Sequence, residues 1–572
     1  MRRKLLSILS LAIFCLTSSL HASDGDRPKL IVANPMNLNY RFMIDGNSRR
    51  EAADPVIEYF KGRYYLFASK SGGYWSSPDL CHWNYIRCRT ITNIENYAPT
   101  AMVYDDELYF FTKGDVRIFK TNNPEVDNWE QVEVDPNAQG GTDVSWFKDD
   151  DGKVYLYWGC SNSKPIMGVE VDPKNKFKSI GERKPLIMHR PAEFGWEVEG
   201  DNNETGRTGW NEGPCVIKWK GKYYLQYATP GTQFRTYSDA VYISDHPLGP
   251  FECVDASPFS FKPGGFIAGA GHGHTFKDKY GNYWHVATMK ISRRQNFERR
   301  LGLFPVYFGD DDRMYTHTVW TDYPYAIPTE KVDFSKDNCS LGWNVLSHGK
   351  KVTASSELPQ YEASCANDEQ VESWWAASSG KPGEWWEVDL GKTMEVRAIQ
   401  VNLADHNFML LGPDTYCYRY KIEYSSDGAE WQMLVDYTAN QEDRPHDLIV
   451  LDKPVQTRFI RITNTKAVPG NFSLYDFRVF GNASSALPQK ASGLKVQRDS
   501  KDKRIYRLTW NADKNATGYI VRWGIDKEHM NYSKMVYANS FEGRLFRTDM
   551  EYQFSIDAFN ESGVTLSDKV VE

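Results

Sequence analysis

The chain has 572 residues, a formal net charge of −7, 41% hydrophobic and 25% charged residues. That length exceeds one core and implies roughly two to four domains, while mild acidity without a basic patch argues against nucleic-acid binding. Aromatics make up 14%, with 18 Trp, 34 Tyr and 29 Phe, an excess that suits both strands and the stacking of sugar faces.

The N-terminus opens with Arg2, Arg3 and Lys4, followed by a mostly apolar run from Leu5 to Leu16. The run is too short to span a bilayer and small or polar residues follow it, so residues 1–22 read as a signal peptide cut after Ala22. The expected destination is the periplasm or the extracellular space. Cys15 follows Phe14 rather than a small residue, so a lipid anchor is not the expectation. No later apolar stretch is long enough to form a transmembrane segment. Eight cysteines follow the signal without any Cys-x-x-Cys spacing, which argues against zinc. Cys81 and Cys88 are the nearest pair for a disulfide.

Residues 30–330 repeat one pattern of strand, tight turn and aromatic strand. The copies are DPVIEYFKGRYYLFASK from Asp54, APTAMVYDDELYFFTK from Ala98, TDVSWFKDDDGKVYLYWG from Thr142, EGPCVIKWKGKYYLQYAT from Glu212 and HGHTFKDKYGNYWHVAT from His272. Turns such as Lys61-Gly62 and Lys220-Gly221 are hairpin signals, because glycine accepts a positive φ without steric cost. Five such copies predict a five-bladed β-propeller.

A propeller gathers the ends of its inner strands around one axis. Asp54, Asp143, Glu212 and His272 open four of the copies. Counted to the turn glycine, Asp143, Glu212 and His272 keep equal steps, and Asp54 falls one residue short. Three carboxylates near one repeat phase suit glycoside hydrolysis. That reaction needs a protonated acid and an ionised base, and a third carboxylate can keep the acid protonated. The Asp149–Asp151 and Asp310–Asp312 runs read as solvated turns.

The Asp-Pro at Asp54, Asp143 after its Gly-rich lead, Trp210-Asn211-Glu212-Gly213-Pro214, Gly271-His272-Gly273 and Arg299-Arg300-Leu301-Gly302 together resemble glycoside hydrolase family 43. The resemblance implies Asp54 as general base, Glu212 as general acid and Asp143 as the residue that tunes and orients the acid, with inversion at the anomeric carbon. It also implies that His272 lies near the axis, where some members hold a calcium or a water. No cofactor is then needed for the chemistry, and a structural calcium is compatible with it. Tyr97, Trp75, Trp210 and Trp146 are candidate sugar platforms, and Arg300 a candidate ligand for a sugar hydroxyl. Tyr97-Ala98-Pro99-Thr100 departs from the family's common Trp-Ala-Pro-Asp, so the subsite contacts differ.

Residues 335–482 alternate like antiparallel strands, and Trp385 to Gly391 and Phe459 to Gly481 resemble a discoidin, or coagulation-factor 5/8 type C, jelly roll. Asn367 and Asp368 are a weak candidate calcium loop there. Residues 483–489 read as a linker. In residues 490–572, Trp510, Tyr519 and Tyr552 resemble the markers of a fibronectin type III sandwich. The expected whole is an all-β, monomeric, inverting glycosidase acting on plant cell-wall oligo- or polysaccharide. Its expected activity is that of an α-L-arabinofuranosidase. A β-xylosidase, a β-galactosidase and a non-catalytic glycan-binding protein are the alternatives.

Overall fold

The computed structural model describes residues 30–42, 49–112, 117–136, 138, 140–409 and 415–571. The signal-peptide reading of residues 1–22 lies outside them. No helix among the described residues is long and apolar enough to cross a membrane, and their eight cysteines are all free thiols.

The repeats fold into antiparallel meanders. The first sheet runs Ala53–Phe60, Arg63–Ser69, Gly73–Ser77, Asn84–Arg87. The second runs Thr100–Tyr104, Glu107–Phe111, Ile118–Thr121, Glu130–Val132, and the third Val144–Lys148, Val154–Trp158, Ile166–Asp172, Lys178–Ile187. Two further meanders start at Asn211–Trp219 and Ala268–Lys277, and one parallel pairing, Ser238 with Ala270, merges them into a larger sheet. Lys61-Gly62, Asp105-Asp106 and Lys220-Gly221 have positive φ at both turn positions, which matches the twist of the strands they join.

Aromatic cores fill the gaps between neighbouring sheets. Phe67, Tyr74, Phe110 and Trp129 join the first sheet to the second, and Phe111, Trp146 and Val154 join the second to the third. Trp75, Leu66, Val286, Leu301 and Leu303 join the first meander to the last, so the sheets close on one another. Asp149 is not a solvated turn residue. It is buried and accepts hydrogen bonds from Lys218 Nζ and Tyr223 OH, tying the third sheet to the fourth meander.

The next region is built on three long strands, Trp385–Leu403, His446–Asn464 and Ser473–Asn482, around a core that includes Trp386, Val388, Ile460 and Phe477. The C-terminal residues form a three-stranded and a four-stranded sheet packed over Trp510, Tyr519, Trp523 and Phe554. Neither region is a loose appendage. Phe266, Met289 and Phe304 share a core with Trp374, Ala404 and Tyr475, while Trp196 and Tyr227 share one with Trp523 and Phe546.

Candidate active site

The five inner strands carry the same backbone device. Asp54, Ala98, Asp143, Gly213 and His272 all have left-handed φ values, between 47° and 56°. At Ala53/Val56, Glu212/Cys215 and Gly271/His274 the strand register also slips. Such bulges turn a side chain out of the regular alternation, here toward the centre of the ring. The phase therefore differs from the one counted to the turn glycines. Asp54 is in step, and Gly213 holds the fourth position, with Glu212 one residue earlier. The count fails because Asp143 and His272 precede five-residue turns, whereas Asp54 and Gly213 precede two-residue ones.

Asp54, Asp143, Glu212, His272, Tyr97 and Trp210 line one cavity of about 380 Å3. Asp54 is 5% exposed and bonded from several sides. Its Oδ1 lies 3.2 Å from Arg299 Nη1 and 3.3 Å from His272 Nδ1, its Oδ2 accepts from Ser69 Oγ at 2.6 Å, and its backbone N–H donates to Thr288 Oγ1 at 2.8 Å. Arg299 also holds buried Glu51, 2.6 Å away. Burial pushes the Glu51 carboxyl up, and Arg299 offsets part of that rise.

The opposite wall is made differently. Glu212 Oε1 accepts from Tyr237 OH at 2.6 Å and Oε2 from the Cys160 thiol at 3.4 Å. Cys160 pairs with Glu212 across the strands, and its sulfur lies within 4.8 Å of both the Glu212 and the Asp143 carboxylate oxygens, which lie equally close to each other. Burial, then the charges of Asp143 and Glu212, push this thiol far up, so it stays a donor.

His272 stands between the walls, with Nδ1 3.9 Å from Asp143 as well. Its backbone N–H donates to Asp239, which also takes the N–H of Gly273 and lies 2.9 Å from His285 Nε2. Burial opposes the charged ring, but Asp54, Asp143, Glu212 and Asp239 outweigh it and raise its pKa above 6.5. A Cβ at Gly213 would stand 2.4 Å from the ring carbon Cδ2, so only glycine lets the imidazole sit there. The His272 ring is flanked by Asp54, Asp143 and the bare Gly213 backbone. At the other candidate loop, Asn367 Nδ2 donates to the carbonyls of Ser347 and Lys350, and Asp368 accepts from Ser373 Oγ.

Three residues expected to touch sugar do not reach the cavity. Trp75 is 1% exposed and packs beside Tyr85 in the core that closes the ring. Trp146 is sandwiched between Phe111 and Phe177, both 5.4 Å away. Arg300 points to the opposite face from Arg299, because successive residues of a strand alternate, and bonds His446 instead. Phe297, Thr232, Gln233 and Arg299 line the cavity in their place. The motif Arg299-Arg300 signals an arginine, but only the register tells which one. Cys160, Tyr237 and Glu51 carry no local signal, since pairing between distant strands brings them in.

Residues 48–314 match the family described as glycosyl hydrolases family 43, and residues 351–476 match the F5/8 type C domain. The chain is 26% identical over 322 residues to a β-D-galactofuranosidase of Aspergillus niger, covering 49% of this chain and 84% of that protein. It is 25% identical over 284 residues to a xylan 1,3-β-xylosidase of a Vibrio species, covering 46% of each. A solved glycoside hydrolase covers 77% of this chain and 99% of its own at 20% identity and a TM-score of 0.45. The chain is thus a glycosidase, with a family 43 glycosyl hydrolase domain of the inverting kind over residues 48–314 and an F5/8 type C domain over residues 351–476.

Proposed function

We propose that Asp54, Glu212 and Asp143 hydrolyse a furanosidic bond in plant cell-wall polysaccharide, with α-L-arabinofuranosyl as the sugar released. The reading takes the ring as five blades, residues 335–482 as a jelly roll and the C-terminal sandwich as fibronectin III-like, in a protein secreted by its N-terminal signal. The observation that carries it is the meeting of these three carboxylates in one cavity with Tyr97 and Trp210 at its edge. Asp54 takes a proton from water as the water oxygen bonds the anomeric carbon. The glycosidic C–O bond breaks on the opposite face, and Glu212 protonates the departing oxygen. Arg299 and His272 bond and aim Asp54, while Asp143 and Cys160 orient Glu212. Trp210, 41% exposed, offers a ring for sugar stacking. A cavity of this volume suits a ligand of monosaccharide or disaccharide size.

A second furanose, β-D-galactofuranose, is favoured as the alternative by the Aspergillus niger relative, of which the match covers 84%. β-Xyloside cleavage follows it. The test is hydrolysis of nitrophenyl α-L-arabinofuranoside, β-D-galactofuranoside and β-D-xyloside by the full chain and by Glu212→Gln. We expect the arabinofuranoside to be cleaved fastest and Glu212→Gln to lose about 10²–10⁴-fold in kcat. Equal activity in the two proteins would remove Glu212 from the acid role. Faster cleavage of another glycoside would reassign the sugar.

A further inference from the structure

Each wall of the cavity is held from behind by a different C-terminal domain. On the Asp54 side, two segments send one residue to the site and its neighbour into the F5/8 type C domain. Glu51 binds Arg299, while Arg50 Nε donates to Asp405 and Arg50 Nη1 to Asp443, both at 2.8 Å. Arg299 reaches Asp54, while Arg300 donates from Nε to His446 Nε2 at 2.7 Å and from Nη1 to the Arg50 carbonyl at 2.8 Å. Upstream, Glu298 accepts from Tyr475 OH at 2.9 Å, and Arg294 Nη1 donates to the Ala404 carbonyl at 2.6 Å. Arg50, Glu298, Arg300, His446 and Tyr475 are fully buried. Burial and two guanidinium groups push His446 well below its ordinary pKa, so the ring is neutral. Its Nε2 can then accept from Arg300, and its Nδ1 proton goes to Asn402 Oδ1, 2.9 Å away.

The Glu212 side leans on the terminal sandwich. Asn211, the residue before the acid, donates from Nδ2 to Glu197 Oε1 at 2.9 Å, and buried Glu197 also accepts from Tyr227 OH. Glu197 ends a turn, Gly195–Glu197, that docks on Phe546. The Gly195 N–H donates to the Phe546 carbonyl at 2.5 Å, and the Trp196 ring meets the Phe546 ring edge-on at 6.0 Å. A Cβ at Gly195 would stand 2.8 Å from that carbonyl, so this approach requires glycine.

We propose that the two C-terminal domains are struts of the active site, the F5/8 type C domain positioning the base Asp54 and the terminal sandwich positioning the acid Glu212. The inference rests on the base and acid roles proposed above. Catalytic groups must be held within a fraction of an ångström by packed, hydrogen-bonded supports, and a shift of about 1 Å costs about 10²-fold in rate. His446, Tyr475 and Phe546 are thus positioning residues that touch no substrate.

The test uses full-length His446→Leu and Phe546→Ala, with Ile422→Ala and Ile556→Ala as core controls of comparable melting loss. Each is assayed on the nitrophenyl glycoside that the wild type cleaves and on its dinitrophenyl counterpart, whose leaving group needs no proton. We expect Phe546→Ala to lose about tenfold in kcat on the nitrophenyl substrate and little on the other. His446→Leu should lose about tenfold on both, with KM unchanged, and His446→Gln, which keeps an acceptor for Arg300, should recover. If His446→Leu does not fold, Tyr475→Phe replaces it. Losses no greater than those of the controls, or the same leaving-group dependence on both sides, would overturn the struts. Glu212→Gln run alongside separates the two readings. If it lacks leaving-group dependence, the acid assignment fails; if it shows it and Phe546→Ala does not, only the strut fails.

Discussion

The two walls of the cavity hold their carboxylates by opposite means. Asp54 faces the full charge of the Arg299 guanidinium and an imidazole whose pKa is raised by the carboxylates around it. Glu212 is bonded by a phenol and a thiol, both neutral and both kept so by burial and neighbouring carboxylates. A nearby cation favours the ionised carboxylate, as does each donor that bonds its oxygens, but the cation does so with full charge and the neutral donors only with dipoles. The two carboxylates thus sit in chemically different surroundings. The difference also predicts unequal costs of damage. Removing a cation from a buried carboxylate pair costs about 3–5 kcal/mol, whereas removing one neutral hydroxyl from a buried acceptor costs about 1–3 kcal/mol. Arg299→Met, which removes the guanidinium shared by buried Glu51 and Asp54, should therefore destabilise far more than Tyr237→Phe in urea unfolding, and should also abolish most of the activity. Equal shifts of the two midpoints would break the contrast.

The sequence carries the walls unevenly as well. The repeat of strand, turn and aromatic strand is local, and it points to Asp54, Asp143, Glu212 and His272, because hairpin turns and alternation leave marks within some twenty residues. What lies between strands leaves no such mark. Cys160 reaches Glu212 through a pairing across fifty-two positions, and Tyr237 reaches it by tertiary folding. Arg299 and Arg300 are equivalent in the sequence until the register assigns one to the site and the other to His446. Trp75 and Trp146 mislead for the same reason. A tryptophan near a strand end serves a sheet-to-sheet core as readily as a sugar, and only burial distinguishes the two uses. The F5/8 type C motif identifies a fold, but nothing in it announces the buried ion pairs from Arg50 to Asp405 and Asp443.

A smaller effect tests the device common to both walls, the left-handed residue at the start of each inner strand. Gly213 and Ala98 occupy that position in the fourth and second sequence repeats, with φ of 56° and 49°. At Gly213 an added Cβ meets the His272 ring, so Gly213→Ala should cost about 1–3 kcal/mol and displace the imidazole from Asp54. Ala98→Gly removes a strained side chain instead and should be neutral or stabilising by up to about 1 kcal/mol. Thermal melting of the two variants, with activity measured on each, decides the point. If Gly213→Ala melts with the wild type and keeps its activity, the close approach of His272 is not what requires glycine there.

The smallest expected effect is a slope with pH, and it isolates the charge that His272 brings to the Asp54 wall. Its pKa in the folded chain lies above the ordinary 6.5, because the attraction of four carboxylates exceeds the cost of burying the ion. A group raised on folding binds its proton more tightly in the native state, so its stabilising contribution is complete below pH 6.5. That contribution is lost as the pH rises through the native value. Wild-type stability should therefore fall between pH 6.5 and the raised value, whereas His272→Asn, which cannot titrate, should be flatter across the same window. Urea midpoints of both proteins at pH 6 and at pH 8.5 measure the difference. Parallel slopes would mean that the ring is neutral throughout, and the Asp54 wall would then depend on Arg299 alone for its positive charge.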